Sequence, residues 1–186
     1  HGMGDKRQAY NEAMRIPFIM RGPGIKAGGT VEEMVLNIDL APTVLELAGL
    51  GVPDAMQGRS LLPLAAGKTV DNWRTSFLYT YWRYLIVTIP RITEVRTIDK
   101  TYAHYPDGDS IDELYDLQND PYETTNLIDD PAHTAARDRA ALQILLTQLR
   151  RLLAATDLTN GDKYNHRGRV AMLGINADGH AWDAKV

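Results

Sequence analysis

The chain has 186 residues, no cysteine and a formal net charge of −4. That length suits one domain with a real core, or a large part of a bigger protein. The absence of cysteine excludes disulfides, thiolate metal sites and a cysteine nucleophile, and the mildly negative balance leaves no electrostatic footprint for nucleic acid.

In chain order, residues 5–14 predict a short helix, with Asp5 as N-cap and Gln8 three residues on. Its first turn would carry Lys6 and Arg7, cations that oppose the macrodipole at about 0.3–1 kcal/mol each when exposed. Free N–H groups beside two cations would make an anion site; the alternative is a pair of solvated surface cations. "RIPFIM" then reads as a short strand buried on both faces, with Ile16, Phe18, Ile19 and Met20 as its apolar run. "EEMVLNI" at 32–38 reads as a second extended or edge segment. "DLAPTVLELAG" carries full helix punctuation: Asp39 as N-cap, Pro42 in the first turn and Gly49 just past the end. Leu40, Val44, Leu47 and Ala48 share one face of it.

After residue 50 the texture changes. "PDAMQGRSLLPLAAGK" reads as a loop with one helical turn, in which Arg59 anchors the loop on backbone carbonyls. The aromatic and β-branched stretches 75–82, 93–105 and 112–117 read as strands of an antiparallel sheet, the last two joined by "PDGDS". Asn119, Asp120 and Pro121 mark a turn. A long helix is predicted over 131–155, with Ala135, Leu142, Leu145, Leu146, Leu149, Leu152 and Leu153 as a core-facing stripe. Residues 157–186 are polar and glycine-rich, and predict an irregular tail. No apolar run reaches the ~18 residues of a membrane span.

The residues by themselves carry little chemistry. The five histidines, at 1, 104, 133, 166 and 180, have no metal-ligand spacing, and no HExxH, GxSxG or Walker loop occurs. "RGPGIKAGG" opens no helix, and the carboxylates Asp107, Asp109, Asp112 and Glu113 lack EF-hand spacing. His104 alternates with Tyr102 along a strand and reads as structural.

Several motifs nevertheless occur together in order: "HGMGDK", "YNEAMRIPFIMRGPGI", "VLNIDLAPTVLELAGLGVPDAMQGRSLLPLAAG", "VRTIDKTYAHY" and "ELYDLQNDPYETTNL". In these the chain resembles the C-terminal part of a type I, arylsulfatase-like sulfatase of the alkaline phosphatase superfamily. The resemblance runs over roughly residues 1–155. It implies an α/β fold: the C-terminal part of an alkaline-phosphatase-like α/β/α sandwich, plus a small antiparallel sheet packed on a long C-terminal helix. Residues 1–70 would end the catalytic α/β domain, 71–156 would form the sheet subdomain with its terminal helix, and 157–186 the tail.

The activity implied is hydrolysis of sulfate esters with a formylglycine nucleophile and a Ca²⁺ ion. Metal and cations would neutralise charge on the sulfate oxygens and leaving group. Neither the formylglycine motif nor the Ca²⁺ ligands lie in this chain, so the resemblance implies an N-terminal sulfatase portion outside it and no turnover by this chain alone. Lys6 matches the family lysine that contacts the sulfate and its bridging oxygen, and His1 matches the histidine of a Gly-Glu-His-Gly motif. The small sheet of the family leans over the active-site mouth. Arg91 is therefore a candidate contact for an anionic sugar, and Tyr81 and Trp82 are candidates to stack on a sugar ring. The partner implied is a sulfated small molecule or sulfated glycan, in a periplasmic or secreted setting. Two other readings stay open: a phosphate or phosphonate ester hydrolase of the same superfamily, and a non-catalytic domain binding sulfated glycans or a partner chain. Upstream sequence would separate the two reactions, since Cys/Ser-x-Pro-x-Arg favours sulfate.

Overall fold

The structure, a computed structural model, describes residues 8–81, 90–108, 110–156 and 173–175. The chain divides into two units, His1–Arg15 with Phe77–Met172 and Ile16–Ser76 with Leu173–Val186.

The second unit is built around one carboxylate. Residues Asn37–Asp39 form a 3-10 turn that runs into helix α2, Leu40–Leu47. Asp39 is 0% exposed, and it does not cap α2 with its side chain. Its carboxylate instead accepts the Leu36 N–H and the Arg59 N–H, each at 2.8 Å, and both terminal nitrogens of Arg74, Nη2 at 2.6 Å. A buried charge survives only when paired and hydrogen-bonded, and this one has both kinds of partner. Arg59 donates to the Asn72 carbonyl at 2.7 Å and lies 4.6 Å from the Trp73 ring centre, so the loop anchor expected of it is present, with a cation–π contact besides. Trp73 packs with Leu61 and Leu64 of the turn that carries helix α3, Leu62–Ala65. Gly49 follows α2 with φ +71°, the left-handed conformation that ends a helix at low cost only for glycine.

Two expectations for this unit fail. Residues 16–20 and 32–36 form no strand, and Ile16, Phe18 and Ile19 are 56%, 47% and 92% exposed. An apolar run specifies a buried strand only where neighbouring strands exist to pair with it, and none does among the described residues. The apolar face of α2 is also outward: Val44 and Leu47 are 62% and 57% exposed, while Pro42 and Thr43 are buried. Thr43 turns inward because its hydroxyl bridges the Asp39 carbonyl and the Leu61 N–H.

The first unit holds the sheet. Its strands are β1 (Ser76–Tyr81), β2 (Ile92–Thr97), β3 (Lys100–His104) and β4 (Glu113–Asp116), in the order β4-β3-β2-β1. The stretch 93–105, expected as one strand, is a hairpin. Its turn at Ile98–Asp99 has no glycine; Thr97 accepts the Lys100 N–H at 2.9 Å and donates to Asp99 at 2.8 Å, doing the closing work of a glycine turn with side chains. β2 and β3 pair antiparallel with Val95 opposite Tyr102, and β3 and β4 with Tyr102 opposite Leu114. Those three define one buried face by period-two alternation; Glu94, Arg96, Thr101, Ala103, Glu113 and Tyr115 define the other.

Helix α4, Thr134–Thr156, packs on β2 and β3. Asp130 caps the 3-10 turn before it by accepting the Ala132 N–H at 2.9 Å. The expected leucine stripe is not its core face. Ile144 and Thr147 are buried, whereas Leu142, Leu145 and Leu146 are 55%, 60% and 43% exposed. The half-buried positions Ala136, Ala140 and Ala141 continue the Ile144 side, so the helix turns its small residues inward. Small side chains permit close approach of the helix to the sheet. The side chains of Leu149, Leu152 and Leu153 lie outside the described residues. So does most of 157–186, but its Leu173–Ile175 forms a strand, β5, where an irregular tail was expected.

Candidate functional site

The described structure begins just after the "HGMGDKR" segment. His1, Lys6 and Trp82 lie outside the described residues. Of the segment predicted as one helix over 5–14, residues 8–10 are not helical and α1 spans only Asn11–Met14. Tyr10 is extended, with φ −75° and ψ 160°. Lys6 therefore stands five positions before the helix, and a four-residue helix offers no anion site at its start. With α1 beginning at Asn11, its macrodipole gives no reason for a cation at position 6, and the case for Lys6 is its match to the sulfatase lysine.

Tertiary hydrogen bonds tie down residues 9 and 10 and the first helical residue, Asn11. Arg96 on β2 donates to the Ala9 carbonyl at 2.9 Å and to the Asn11 side-chain oxygen at 2.7 Å. Glu123 accepts the Asn11 N–H at 2.6 Å, and Asn11 donates to the Pro121 carbonyl at 3.0 Å. The Tyr10 hydroxyl donates to Glu113 on β4 at 2.7 Å, and its ring meets Tyr115 edge-on at 6.1 Å. Ala9 and Tyr10 are buried.

Arg96 is the hub. It also pairs with Glu94 at 2.8 Å and with Glu123 at 2.7 Å, the three side chains being 7%, 1% and 1% exposed. Burial alone would weaken the Arg96 charge, but the two carboxylates more than offset it and hold the guanidinium charged. Burial raises the Glu94 carboxyl above the usual range despite Arg96 and the Thr101 hydroxyl, and it raises Glu113 despite hydrogen bonds from Tyr10 and Tyr105. Burial, then the bond to Glu113, pushes the Tyr10 hydroxyl far up. Glu123 has φ +54°, a left-handed conformation that costs a non-glycine residue roughly 1–2 kcal/mol. A strained residue persists where its surroundings over-determine it; here two partners hold its carboxylate.

Arg91 precedes β2, and the structure pairs it with Asp107 of the β3–β4 turn at 2.5 Å, its Nε buried and without a hydrogen bond among the described residues. Tyr81 ends β1, half-buried, its ring stacked on Tyr79 at 6.5 Å and 27°. Each is held by its own neighbour. His104 is tied to Asp112 at 2.9 Å, and Asp112 also accepts the Tyr102 hydroxyl and the Tyr105 N–H. Burial opposes ionisation of Asp112, yet the bonds from Tyr105, His104 and Tyr102 win and hold its carboxyl below the usual range. That is a turn-closing arrangement, as the strand alternation implied. Among the described residues no group of three or more His, Cys, Asp or Glu side chains could hold a metal ion.

The brace of Asn11, Glu94, Arg96 and Glu123 escaped sequence reasoning. Alternating charges in "EVR" look like the wet face of a strand, and only a sheet covered on both sides makes them a buried cluster. No helix among the described residues is long and apolar enough to cross a membrane.

An antiparallel sheet packed with a long helix, in a chain that also holds a helix-and-loop unit, gives an α/β fold, and comparisons with known proteins match that fold to sulfatase-like structures. The family profile described as "N-sulphoglucosamine sulphohydrolase, C-terminal" matches residues 1–151. The chain belongs to that sulfatase family. An N-acetylglucosamine-6-O-sulfatase of Bacteroides thetaiotaomicron is 38% identical over 149 residues, 78% of this chain and 26% of the relative. Arylsulfatase K of Homo sapiens is 35% identical over 127 residues, 66% of this chain and 24% of the relative. A solved structure of a protein in complex with its substrate D-glucosamine-2-N,6-O-disulfate superposes with TM-score 0.70 at 33% identity, covering 77% of this chain and 30% of that one. A phosphonate monoester hydrolase from Silicibacter pomeroyi superposes with TM-score 0.69 at 27% identity, covering 89% and 35%. The chain thus spans about a quarter to a third of the length of these relatives.

Proposed function

We propose that this chain is the C-terminal portion of a sulfatase, a sulfuric ester hydrolase acting on a sulfated small molecule or glycan. The observation that carries the reading is the family match over residues 1–151. Exposed apolar side chains such as Ile19, Val44 and Leu145, at 92%, 62% and 60%, support it, because such surface suits packing against further protein. The relatives named for N-acetylglucosamine 6-sulfate make a 6-sulfated amino sugar the first substrate to test.

In this reading the nucleophile, a formylglycine, and the Ca²⁺ ion belong to a part outside this chain. Bound there, the ion would supply positive charge to polarise the sulfate oxygens. This chain would contribute Lys6, whose ammonium neutralises charge developing on the bridging oxygen, and His1 nearby. Arg91 and Tyr81, with Trp82, would read the substrate at the mouth. The likeness to a phosphonate monoester hydrolase supports a second reading, the same site acting on a phosphonate or phosphate ester.

The test compares the sulfatase carrying this chain with the chain alone, with Ca²⁺, on an aryl sulfate, N-acetylglucosamine 6-sulfate and a phenyl phosphonate. The reading expects sulfate turnover by the former and none by the latter. Preference for the phosphonate would favour the second reading, and turnover by the isolated chain would refute the division of labour.

A further inference from the structure

Three glutamates line one small cavity of the first unit: Glu94 of β2, Glu113 of β4 and Glu123 of the turn before α4. Two of them are fully engaged. Glu123 accepts on Oε1 from Arg96 at 2.7 Å and on Oε2 from the Asn11 N–H at 2.6 Å. Glu113 accepts on Oε1 from the Tyr10 hydroxyl at 2.7 Å and on Oε2 from the Tyr105 hydroxyl at 3.1 Å. Glu94 differs. Its Oε1 takes the Arg96 Nε–H at 2.8 Å and the Thr101 hydroxyl at 2.7 Å. Its Oε2 is buried and has no hydrogen-bond partner among the described residues, in a side chain only 1% exposed.

A bare carboxylate oxygen in the interior is costly, because it has given up its hydration for nothing. A proton on that oxygen relieves the charge, and the resulting hydroxyl then needs an acceptor. The cavity that Glu94 lines has a volume of about 10 Å³, the space of a single water. Thr101, Glu113, Tyr115 and Glu123 give its wall the polar partners a buried water needs. We propose that this cavity is a binding site for one proton and one water molecule: Glu94 carries the proton on Oε2 and donates it to the water, whose own hydrogens go to the other acceptors of the wall. The proton comes from solvent and returns there as pH rises.

The groups that face Glu94 favour this state. Arg96 on its own strand is the cation, and Glu123 is already its partner, so a neutral Glu94 leaves one guanidinium balanced by one carboxylate. Tyr79 of β1 and Tyr105 after β3 also face Glu94, and Glu113, Tyr115 and Tyr10 line the cavity with it; none of these is a cation. Burial is the largest influence on the Glu94 carboxyl and raises it; Arg96 and the Thr101 hydroxyl oppose burial without reversing it. Because the folded form favours the proton, the contribution to stability is full below the ordinary glutamate value and is lost as pH rises through the raised one. The brace of Asn11, Arg96 and Glu123 thereby becomes a pH-sensitive joint.

Infrared titration of the full chain tests the proton, in the Glu113→Gln background that removes the other carboxyl raised by burial. One protonated carboxyl signal is expected to persist above the ordinary glutamate range, and to vanish when Glu94→Gln is added. If every carboxyl in Glu113→Gln ionises together, or the persistent signal survives the second substitution, the proposal is overturned. Glu94→Gln alone, whose NH₂ donates as the acid does, should gain in thermal midpoint on wild type as pH rises, and a pH-independent difference refutes the joint. A crystal structure of the wild-type protein needs no variant to fold. It should show one water within hydrogen-bond distance of the Glu94 Oε2; a dry cavity, a protein donor on that oxygen, or a metal ion in place of the water would overturn the site.

Discussion

Replacing Asp39 with asparagine is the sharpest stability test of the second unit. The native carboxylate is 0% exposed and accepts four donors, two from backbone and two from the Arg74 guanidinium, whose side chain is 2% exposed. Asparagine keeps the shape but offers one acceptor oxygen, and its NH₂ faces N–H groups that need an acceptor. It also leaves Arg74 as an uncompensated buried charge. Breaking one side of such a pair costs about 3–5 kcal/mol, and an orphaned N–H about 1–3 more, though the terms overlap. A loss of about 4 kcal/mol is expected, most of the stability of a domain at the low end of the 5–15 kcal/mol range. Urea unfolding followed by tryptophan fluorescence suits the measurement, because Trp73 lies 5.0 Å from the Arg74 guanidinium and reports on the site directly. Adding Arg74→Leu to Asp39→Asn should recover part of the loss by removing the stranded charge. A loss below about 1 kcal/mol for Asp39→Asn, or no recovery in the double variant, would refute the account of Asp39 as the organiser of this unit.

Other outcomes are equally open to measurement. Gly58→Ala would place a Cβ 2.0 Å from the Ile38 carbonyl oxygen, so soluble yield and thermal midpoint should both fall steeply; a near-native midpoint would mean the backbone there is free to shift. Glu113 has its carboxyl raised by burial, so its folded form favours the proton: its contribution to stability is greatest below the ordinary glutamate value and declines as pH rises through the raised one. Beyond a constant offset from lost acceptors, Glu113→Gln should therefore gain on wild type as pH rises above the ordinary glutamate value in chemical denaturation, and a flat difference would count against the buried-acid assignment. Burial also pushes the Tyr79 hydroxyl up to about 12, so Tyr79→Phe should remove a component from the alkaline absorbance titration near that pH rather than near 10. Leu142→Lys with Leu145→Glu, at positions 55% and 60% exposed, should reduce self-association of the isolated chain in sedimentation, and an already monomeric wild type would contradict the view that these faces need covering.

Local signals were legible wherever a residue acts through its own neighbours in sequence. Gly49 after a run of helix formers stopped α2 where expected, and Pro131 after Asp130 started the last helical segment. The sheet's strands were visible as aromatic and β-branched runs, although the turn at Ile98–Asp99 was not, because Thr97 closes it with a hydroxyl that composition does not flag. Candidate substrate residues were legible only as types. That Arg91 is paired with Asp107 depends on a turn that no local pattern encodes, whereas Tyr79 and Tyr81 meet because alternation puts i and i+2 on one strand face.

By itself, then, the sequence determined the family, through five ordered motifs, and the rough limits of α2 and α4 and the presence of the small sheet. Tertiary structure alone decided which faces are covered. Periodicity marked an apolar side on α2 and on α4, yet the helices turn Thr43 and Ile144 inward and leave Val44 and Leu145 out. It also decided that Asp39 organises a loop rather than capping a helix, and that the charges of "EVR" face the segment after Lys6 and not water. The physical reason is common to all three. Hydrophobic pattern and capping are set within a few residues, whereas burying a charge depends on partners brought from dozens of positions away.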